Sequence, residues 1–372
     1  MNFGYYKKEK KQLAQMKQYE RKQEKNIRYI CAIALIATML LSLVSCSAPA
    51  SEGGEANENP RRVIIDSDSG ADDSAAIILA AKKSELEIEG VTVLAGNVDV
   101  ENAAKNSLMA LEVAGASVPV YKGATESVSK EPFDPYSVFG KDGMGDADLI
   151  HPTGKAEDKN AIDFILETVK KYPGEIEIIA LGPATNIANA IQKDPETMKQ
   201  VKMIWSLGTT GLGAGNASPV AEFNVYADAE AYKIMLDSGI DTTIVGLDMC
   251  GGDAMWTDKQ FEKLEASGDI GVFVSKSFEE LRNFYEKNGE DAVSVCDPET
   301  ILCATEDDFV KDSIKCHGSC ITEKGETYGE VVFYKEGFTY DLEVPEGMDY
   351  SVTLVTEIDQ SGYFDRYLKA IR

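Results

Sequence analysis

The stretch from Val63 to Ser74, which reads VIIDSDSGADDS, constrains the fold of this chain more than any other. Its three leading apolar residues predict the end of a short buried strand, and the run AAIILAAKK that follows is typical of a helix. Gly70 supplies the sharp turn between the two. The carboxyl ends of strands are where open α/β sheets bind ligands. The stretch therefore places four carboxylates at such an edge: Asp66, Asp68, Asp72 and Asp73.

Four like charges beside a buried strand repel one another unless a cation or shared protons relieve them. Carboxylate oxygens suit the hard cations Ca²⁺ and Mg²⁺. An EF-hand loop also begins D-x-D, but it needs a glutamate at position twelve, where this chain has Ile77. Two alternatives remain, an acidic surface turn and an aspartate nucleophile for phosphoryl transfer. The second leaves Asp72 and Asp73 without a role.

Strand-like and helix-like segments alternate along the chain after residue 60. Further strands are predicted at Ile88–Leu94, Ile176–Leu181, Met203–Leu207 and Thr242–Leu247, with helices between them. This alternation predicts an α/β fold, a doubly wound, mainly parallel open sheet with helices on both faces.

Three later segments carry separate expectations. Gly271–Asn288 reads as one amphipathic helix, and Ser313–Val344 alternates like a β-ribbon. The glycine-rich Gly208–Gly215 lacks the GxGxxG spacing and is followed by Pro219 rather than a helix, which argues against dinucleotide binding. Because no internal repeat and no second linker is evident, residues 61–372 are expected to form a single domain.

Residues 1–46 are typical of an export signal. Residues 1–28 hold nine Lys or Arg against three Glu, Ile30–Val44 is almost wholly apolar, and the ending Leu-Val-Ser-Cys resembles a bacterial lipoprotein box. Cys46 is then expected to be lipidated; an uncleaved membrane anchor is the alternative, although the apolar run is short for a full span. Residues 47–60 read as a flexible tether. These features predict an extracytoplasmic domain, lipid-anchored to the bacterial cell membrane.

The formal net charge of −26 argues against nucleic acid or an anionic membrane surface as a partner. Membrane association is therefore expected only through the lipid anchor. Beyond residue 46 the chain has an odd number of cysteines, so at least one thiol is expected to lack a partner within the chain. The spacing of Cys316 and Cys320 fits no strong zinc pattern, and it leaves both a disulfide and a metal clip open.

Five short motifs stand in order at predicted strand ends. They are DSDSGADD, Gly96-Asn97, Gly182–Asn186, the segment from Gly215-Asn216 through Ala221–Asn224, and Asp297-Pro298. Each motif alone is weak, but the ordered set resembles the inosine–uridine-preferring nucleoside hydrolase family over essentially everything after the tether. The resemblance implies that family's fold and a calcium-dependent hydrolysis of the N-glycosidic bond of ribonucleosides, which yields ribose and free base.

The resemblance also implies roles for individual residues. Asp68 would take the proton from the attacking water. Ca²⁺ would be held by Asp68, Asp73, the backbone carbonyl of Leu181 and Asp297. The ribose hydroxyls would be bound by Asp72, Asn97, Asn216, Glu222 and Asn224. The transition state of such a reaction is oxocarbenium-like, and the ring of carboxylates stabilises it. Asp66 is expected to orient the turn. The family is usually dimeric or tetrameric, so a homodimer or a homotetramer is expected.

The chain departs from the family's pattern around the departing base. The best-known members carry histidines there, whereas this chain has Cys296 before Asp297 and Phe139 in the long loop. The role of Cys296 stays open between a proton donor, a pocket-lining residue and a buried small side chain. Phe139 and Trp256 are either stacking partners of the base or core aromatics. Two other functions also stay open, a surface lipoprotein that binds nucleosides or ribose without hydrolysis and a ribosyl hydrolase for a modified nucleoside.

Overall fold

A nine-stranded sheet lies at the centre of the fold in the computed structural model, which describes residues 60–130, 137–339 and 347–372. A separate two-stranded ribbon pairs β7 with β8. The strands of both sheets are β1 (Arg61–Ser67), β2 (Leu86–Val93), β3 (Val120–Lys122), β4 (Glu177–Ala180), β5 (Met203–Leu207), β6 (Thr242–Val245), β7 (Trp256–Thr257), β8 (Ala292–Val293), β9 (Val310–Cys320), β10 (Val331–Lys335) and β11 (Val352–Ile358).

The strand order of the large sheet is β10-β9-β11-β6-β5-β4-β1-β2-β3. Seven neighbouring strands, from β11 to β3 in that order, run parallel, and β9 pairs antiparallel with both β11 and β10. The predicted α/β fold with a mainly parallel sheet is thus confirmed. Because β1 lies between β4 and β2, the polar turns that follow these three strands meet at one edge of the sheet.

Helices connect the strands of the sheet. The α-helices of the described residues are α1 (Ala71–Lys82), α2 (Val100–Ala114), α3 (Ala161–Lys171), α4 (Thr185–Lys193), α5 (Pro195–Met198), α6 (Phe223–Ala227), α7 (Ala229–Asp237), α8 (Asp258–Glu265), α9 (Asp269–Ser277), α10 (Glu279–Lys287), α11 (Asp297–Thr305) and α12 (Gln360–Ile371). Short 3₁₀ turns lie at Ser137–Phe139, Leu247–Cys250 and Gly252–Ala254.

The alternation of side chains along β1 divides the core between the two faces of the sheet. Val63 and Ile65 belong to one hydrophobic cluster, which includes residues of α1, α2 and α12, whereas Ile64 belongs to another with residues of α3, α4 and α7. Successive strand residues point to opposite faces, so a strand buried on both sides is apolar throughout. The described residues all fall within one compact unit.

One prediction about an individual element was wrong, and a second was confirmed for part of its range. The helix predicted over Gly271–Asn288 is two helices, α9 and α10, which meet at Phe278. Phe278 is fully buried against Trp256 and Phe261, and this long-range packing redirects the chain. The antiparallel ribbon of β9 and β10 exists, but β10 ends at Lys335 and residues 340–346 lie outside the described residues.

The predicted export signal, the tether and the lipidation site Cys46 lie outside the described residues. Among the residues that are described, no helix combines the length and the apolar character needed to cross a membrane. The five cysteines of the described part are buried free thiols, so Cys316 and Cys320 form no disulfide.

Candidate active site

The acidic turn after β1 is held by its own side chains. Asp73 lies in the first turn of α1, where its carboxylate accepts hydrogen bonds from the Ser67 hydroxyl (2.7 Å) and the Gly70 amide (2.9 Å). Ser69 adopts a φ of +48°, a left-handed conformation that is uncommon for a residue with a Cβ and is found at functional sites. The turn therefore presents its carboxylates in one strained and closely specified geometry.

Asp68 is fully buried and faces the turn after β2. Its two carboxylate oxygens accept hydrogen bonds from the Asn97 backbone amide (2.6 Å) and the Asn97 side-chain amide (3.2 Å). Gly96 is required beside it, because a Cβ at this position would lie 2.1 Å from the Asp68 Oδ2 atom. Burial and the neighbouring charge of Asp73 raise the pKa of Asp68 well above its usual value.

Asp66 is hydrogen-bonded to the neighbouring strand ends, and its predicted role in orienting the turn stays a prediction. It is fully buried at the end of β1, and its Oδ1 atom accepts hydrogen bonds from the Thr92 hydroxyl and from the Asn186 side-chain amide (2.8 Å). Asn186 also donates to the Val93 carbonyl and accepts from the Ala124 amide. Asn186 thus joins the strand ends, which is a role that sequence reasoning did not assign to it.

A fifth acidic residue comes from a distant part of the chain. Asp297 begins α11, and one carboxylate oxygen each of Asp72, Asp73 and Asp297 all lie within 4.8 Å of one another. Burial and the charge of Asp73 raise the pKa of Asp72 to about 8, and burial and the charge of Asp72 raise that of Asp297 well above its usual value. The Asp297 Oδ1 atom is buried with no hydrogen-bond partner among the described residues. Three buried carboxylates with raised pKa values, one of them with an oxygen that has no hydrogen-bond partner among the described residues, fit a divalent cation.

Asp68 is not in this group of three, but it lies beside it, since the charges of Asp73 and Asp72 both raise its pKa. The Leu181 carbonyl at the end of β4 accepts a hydrogen bond from the Asn224 side-chain amide at 2.8 Å. Of the predicted cation ligands, the structure therefore groups Asp73 and Asp297 directly and places Asp68 next to them.

The predicted ribose-binding residues line one pocket with the Leu181 carbonyl. Glu222 caps the N-terminus of α6 by accepting hydrogen bonds from the Asn224 and Val225 amides, and burial raises its pKa to about 7. Asn224 is buried, whereas Asn216 is exposed at the rim, where its Oδ1 atom accepts from the Phe223 amide (2.9 Å). The segment from Asn216 to Asn224 thus offers a carboxylate and two amide side chains to the pocket.

The same pocket also has a wall of apolar and aromatic side chains. Phe139 and Cys296 belong to it, and both are largely buried. Trp256 does not line it: the indole is fully buried among Phe261, Phe278, Tyr363 and other rings, so the stacking interpretation of Trp256 was wrong. Sequence reasoning missed further residues of this wall, namely Val138, Leu281, Phe284, Tyr285 and Ser294.

The spacing of Leu281, Phe284 and Tyr285 along α10 is i, i+3, i+4, which indicates one apolar face of a helix. The same pattern is typical of a helix face that packs in the core and of one that lines a pocket. Only the tertiary placement of α10 shows that this face lines the pocket.

Cys296 has a second cysteine beside it. Cys296 and Cys250 are both buried and cluster with Leu207. The Cys250 thiol lowers the pKa of Cys296, but burial and the charge of Asp72 outweigh this effect and leave that pKa raised. Neither histidine lines the pocket: His151 lies on an exposed loop, and His317 on β9 hydrogen-bonds to the Asp349 carbonyl.

Comparison with known proteins gives a consistent result. Residues 63–365 match the family model for inosine-uridine preferring nucleoside hydrolase. The chain is 36% identical over 270 residues to uridine nucleosidase 1 of Arabidopsis thaliana, covering 72% of this chain and 80% of the relative. It is 28% identical over 295 residues to the pyrimidine-specific ribonucleoside hydrolase RihB of Escherichia coli, covering 76% of this chain and 94% of the relative.

Solved structures agree with the sequence comparison. The fold superimposes on that of a plant nucleoside hydrolase with a TM-score of 0.77 at 30% identity, covering 84% of this chain and 99% of the other. It superimposes on a purine-preferring ribonucleoside hydrolase from Gardnerella vaginalis with a TM-score of 0.76 at 26% identity, covering 84% and 98%. The chain therefore belongs to the inosine–uridine-preferring nucleoside hydrolase family and is an enzyme that hydrolyses ribonucleosides.

Proposed function

We propose that this enzyme cleaves the N-glycosidic bond of ribonucleosides in a calcium-dependent reaction that yields ribose and free base. The observation that carries the proposal is the group formed by Asp72, Asp73 and Asp297, three buried carboxylates within 4.8 Å of one another. This group borders a pocket that is lined both by carboxylate and amide side chains and by apolar and aromatic ones. A ribonucleoside has the same two-part chemistry, a polyhydroxylated sugar joined to a flat aromatic base.

The proposed calcium ligands are Asp68, Asp73, the Leu181 carbonyl and Asp297. The Leu181 carbonyl accepts a hydrogen bond from Asn224, and its oxygen has a second lone pair. When bound, calcium would supply positive charge that offsets the clustered carboxylates, acidifies water and attracts vicinal ribose hydroxyls. The proposed hydroxyl ligands on the protein are Asp72, Asn97, Asn216, Glu222 and Asn224.

In the proposed reaction, the Asp68 carboxylate takes a proton from the attacking water. Asn97 donates to both Asp68 oxygens and so holds the carboxylate in one orientation. Positive charge grows on the sugar as the glycosidic bond breaks, and the surrounding carboxylate and amide oxygens stabilise it electrostatically. Phe139 and the aromatic residues of α10 would contact the base.

Release of free ribose tests this function. The enzyme is incubated with inosine, uridine, adenosine and cytidine in turn, with calcium and with a calcium chelator. We expect ribose from at least one nucleoside, loss of release with the chelator and recovery on adding calcium. Ribose release that is indifferent to chelation would overturn the calcium dependence, and binding of nucleosides without any release would favour capture over hydrolysis.

Calcium binding gives a readout that does not depend on activity. A ligand that binds only the folded protein raises its melting temperature. We expect calcium to raise the melting temperature of the wild-type protein, and this shift to be lost in Asp297→Asn and in Asp68→Asn but kept in Asp72→Asn. If Asp72→Asn loses the shift and Asp68→Asn keeps it, then Asp72 is a calcium ligand and Asp68 is not, which would contradict the proposed ligand set.

We further infer that the enzyme is exported and lipid-anchored through Cys46, as residues 1–46 indicate. Incorporation of a labelled fatty acid into the wild-type protein, and its loss in Cys46→Ala, is the expected result. An unlabelled wild-type protein would contradict the anchor. We also expect a homodimer or a homotetramer, and light scattering of the purified enzyme measures the mass directly.

A further inference from the structure

Asp248 lies outside the predicted site, between two segments that build the pocket. β5 and β6 are parallel neighbours, with Leu207 paired to Val245, so the turns after them emerge side by side. The turn after β5 continues through the glycine-rich segment 208–216 to Asn216 and Glu222 on the ribose side. The turn after β6 carries Leu247, which lines the base side.

The Asp248 carboxylate packs against the glycine-rich segment. Its Oδ2 atom accepts a hydrogen bond from the Leu212 amide at 2.9 Å. A Cβ on Gly211 would lie 1.8 Å from the Asp248 Oδ1 atom, one on Gly246 would lie 2.5 Å from the same atom, and one on Gly213 would lie 2.9 Å from the Asp248 Cβ. Three glycines thus make room for this one carboxylate.

Other hydrogen bonds hold the two ends of the segment, from the Leu247 amide to the Thr209 carbonyl (3.0 Å) and from the Gly215 amide to the Pro219 carbonyl (3.2 Å). Glycine loses more conformational freedom on ordering than any other residue, and residues 208–216 contain four of them. Leu212, in the middle of the segment, is 67% exposed, so hydrophobic burial does not anchor that part. The Asp248 carboxylate therefore fixes the exposed middle of the segment through the Leu212 amide.

The segment is tied to the region of Glu222 through Asn216, whose Oδ1 atom accepts a hydrogen bond from the Phe223 amide at 2.9 Å. Thr209, near the start of the segment, is buried and has a φ of +69°, a strained conformation for a β-branched residue. The Thr209 carbonyl accepts a hydrogen bond from the Leu247 amide at 3.0 Å. A strained residue stays in place only where its surroundings hold it. Asp248, one residue after Leu247, clamps the other end of the same turn.

We propose that Asp248 is a positioning residue for ribose recognition, because its carboxylate clamps segment 208–216 and so aims Glu222 and Asn216 at the ribose hydroxyls. This inference rests on the proposed function, since it assumes that these two residues bind ribose. Asp248 itself does not line the pocket among the described residues, so it acts through the segment and not by touching substrate.

The test compares Asp248→Ala with Asp248→Asn. Asparagine keeps an acceptor for the Leu212 amide at nearly the same volume, whereas alanine removes it. We expect Asp248→Ala to raise KM by about 10- to 100-fold, the effect of misplacing a binding group by about 1 Å, with a smaller change in kcat. Asp248→Asn should restore KM to within about threefold of wild type, a difference of less than 1 kcal/mol.

Ribose and free base used as competitive inhibitors separate positioning from general damage. In Asp248→Ala the inhibition constant of ribose should rise with KM, while that of the base stays unchanged. Asp253→Ala, an exposed acid in the next 3₁₀ turn, is the matched control and should leave both constants unchanged. Equal weakening of ribose and base, or an unchanged KM in Asp248→Ala, would overturn the inference.

Gly213→Ala probes the same contact from the other side and keeps the test decisive if Asp248→Ala does not fold. The backbone at Gly213 does not have a positive φ, and the added Cβ would lie 2.9 Å from the Asp248 Cβ, so it should displace the carboxylate and raise KM and the ribose inhibition constant as Asp248→Ala does. The double variant should be no worse than the more affected single variant, since both disturb one contact. If Gly213→Ala behaves as wild type, the clamp does not exist. If the wild-type enzyme releases no ribose, the proposed function itself fails, which is a separate result.

Discussion

Asp68 shows how much one residue depends on its immediate neighbours. The carboxylate is fully buried, accepts two hydrogen bonds from Asn97 and has a raised pKa because of burial and the nearby Asp73. A base in such surroundings is oriented before substrate arrives, and this orientation contributes to catalysis.

Replacement of Asp68 by Asn tests its role as the base. The amide has nearly the same shape but cannot accept a proton from water, so we expect kcat to fall by about 10²–10⁴-fold, the usual contribution of a general base. Steady-state ribose release measures this change, and circular dichroism checks that the fold is retained. Asp307→Asn, at an exposed position, is the control. Full activity in the Asp68 variant would remove Asp68 from the mechanism.

At the scale of elements, the site is made by turns that follow parallel strands. The turn after β1 carries the acidic cluster, the turn after β2 carries Asn97, and the end of β4 supplies the Leu181 carbonyl. These turns fit together because glycines at their contacts leave room for the Asp68 side chain. The glycines in these turns are therefore needed both to form the turns and to leave space for the packed Asp68 side chain.

Gly96→Ala tests this packing. The backbone at Gly96 does not have a positive φ, so alanine is compatible with the turn, but its Cβ would lie 2.1 Å from the Asp68 Oδ2 atom. Asp68 must shift, and we expect kcat/KM to fall by about 100-fold while the protein still folds. Gly154→Ala, where the nearest atom to the added carbon is 3.4 Å away, should have no effect on kcat/KM. Equal activity of the two variants would contradict the packing argument.

At the scale of the whole molecule, an ion-pair network ties the C-terminal helix α12 to the rest of the fold. Arg366 on α12 donates hydrogen bonds to Glu306, Asp308 and Asp359, with both guanidinium Nη atoms on Asp308. Burial would raise the pKa of Glu306, but the hydrogen bonds that Lys83 and Arg366 donate to it outweigh burial, so its pKa is lowered. Hydrogen bonds from Arg366 also lower the pKa values of Asp308 and Asp359. The chain is strongly acidic, so this cation relieves repulsion among three carboxylates.

The sign of the pH effect follows from these lowered pKa values. The carboxylates are ionised in the unfolded chain above about pH 4.5 and stay ionised to lower pH in the folded one. The network therefore contributes fully to stability at neutral pH, and its contribution disappears as the pH falls through the lowered values. We expect Arg366→Met to lower the melting temperature by about 2–4 °C at pH 7.

Thermal unfolding at several pH values checks this expectation. The difference between Arg366→Met and the wild type should shrink steadily below about pH 4, where the carboxylates of both proteins become protonated. Lys369→Met removes one exposed cation from the same helix and should change the melting temperature little at any pH. A difference for Arg366→Met that is independent of pH would show that the arginine acts through packing and not through charge.

The sequence alone determined the class of fold and most of the local chemistry of the site. Apolar strands that alternate with amphipathic helices predict a mainly parallel sheet, and polar residues at the strand ends predict where a ligand binds. Asp66, Asp68, Asp72 and Asp73 lie within eight residues, so short-range geometry alone brings them to one turn. The burial of Asp66 followed from its position at the end of a buried strand.

Tertiary structure decided the relations between distant segments. It brings Asp297 within 4.8 Å of Asp72 and Asp73, breaks the expected helix at Phe278, buries Trp256 in the core and places Asp248 against the glycine-rich segment. Hydrophobic periodicity shows which face of an element is buried, but it does not show against which partner. The partner is chosen by the sum of many weak packing contacts between residues far apart in the chain, and no local pattern contains that sum.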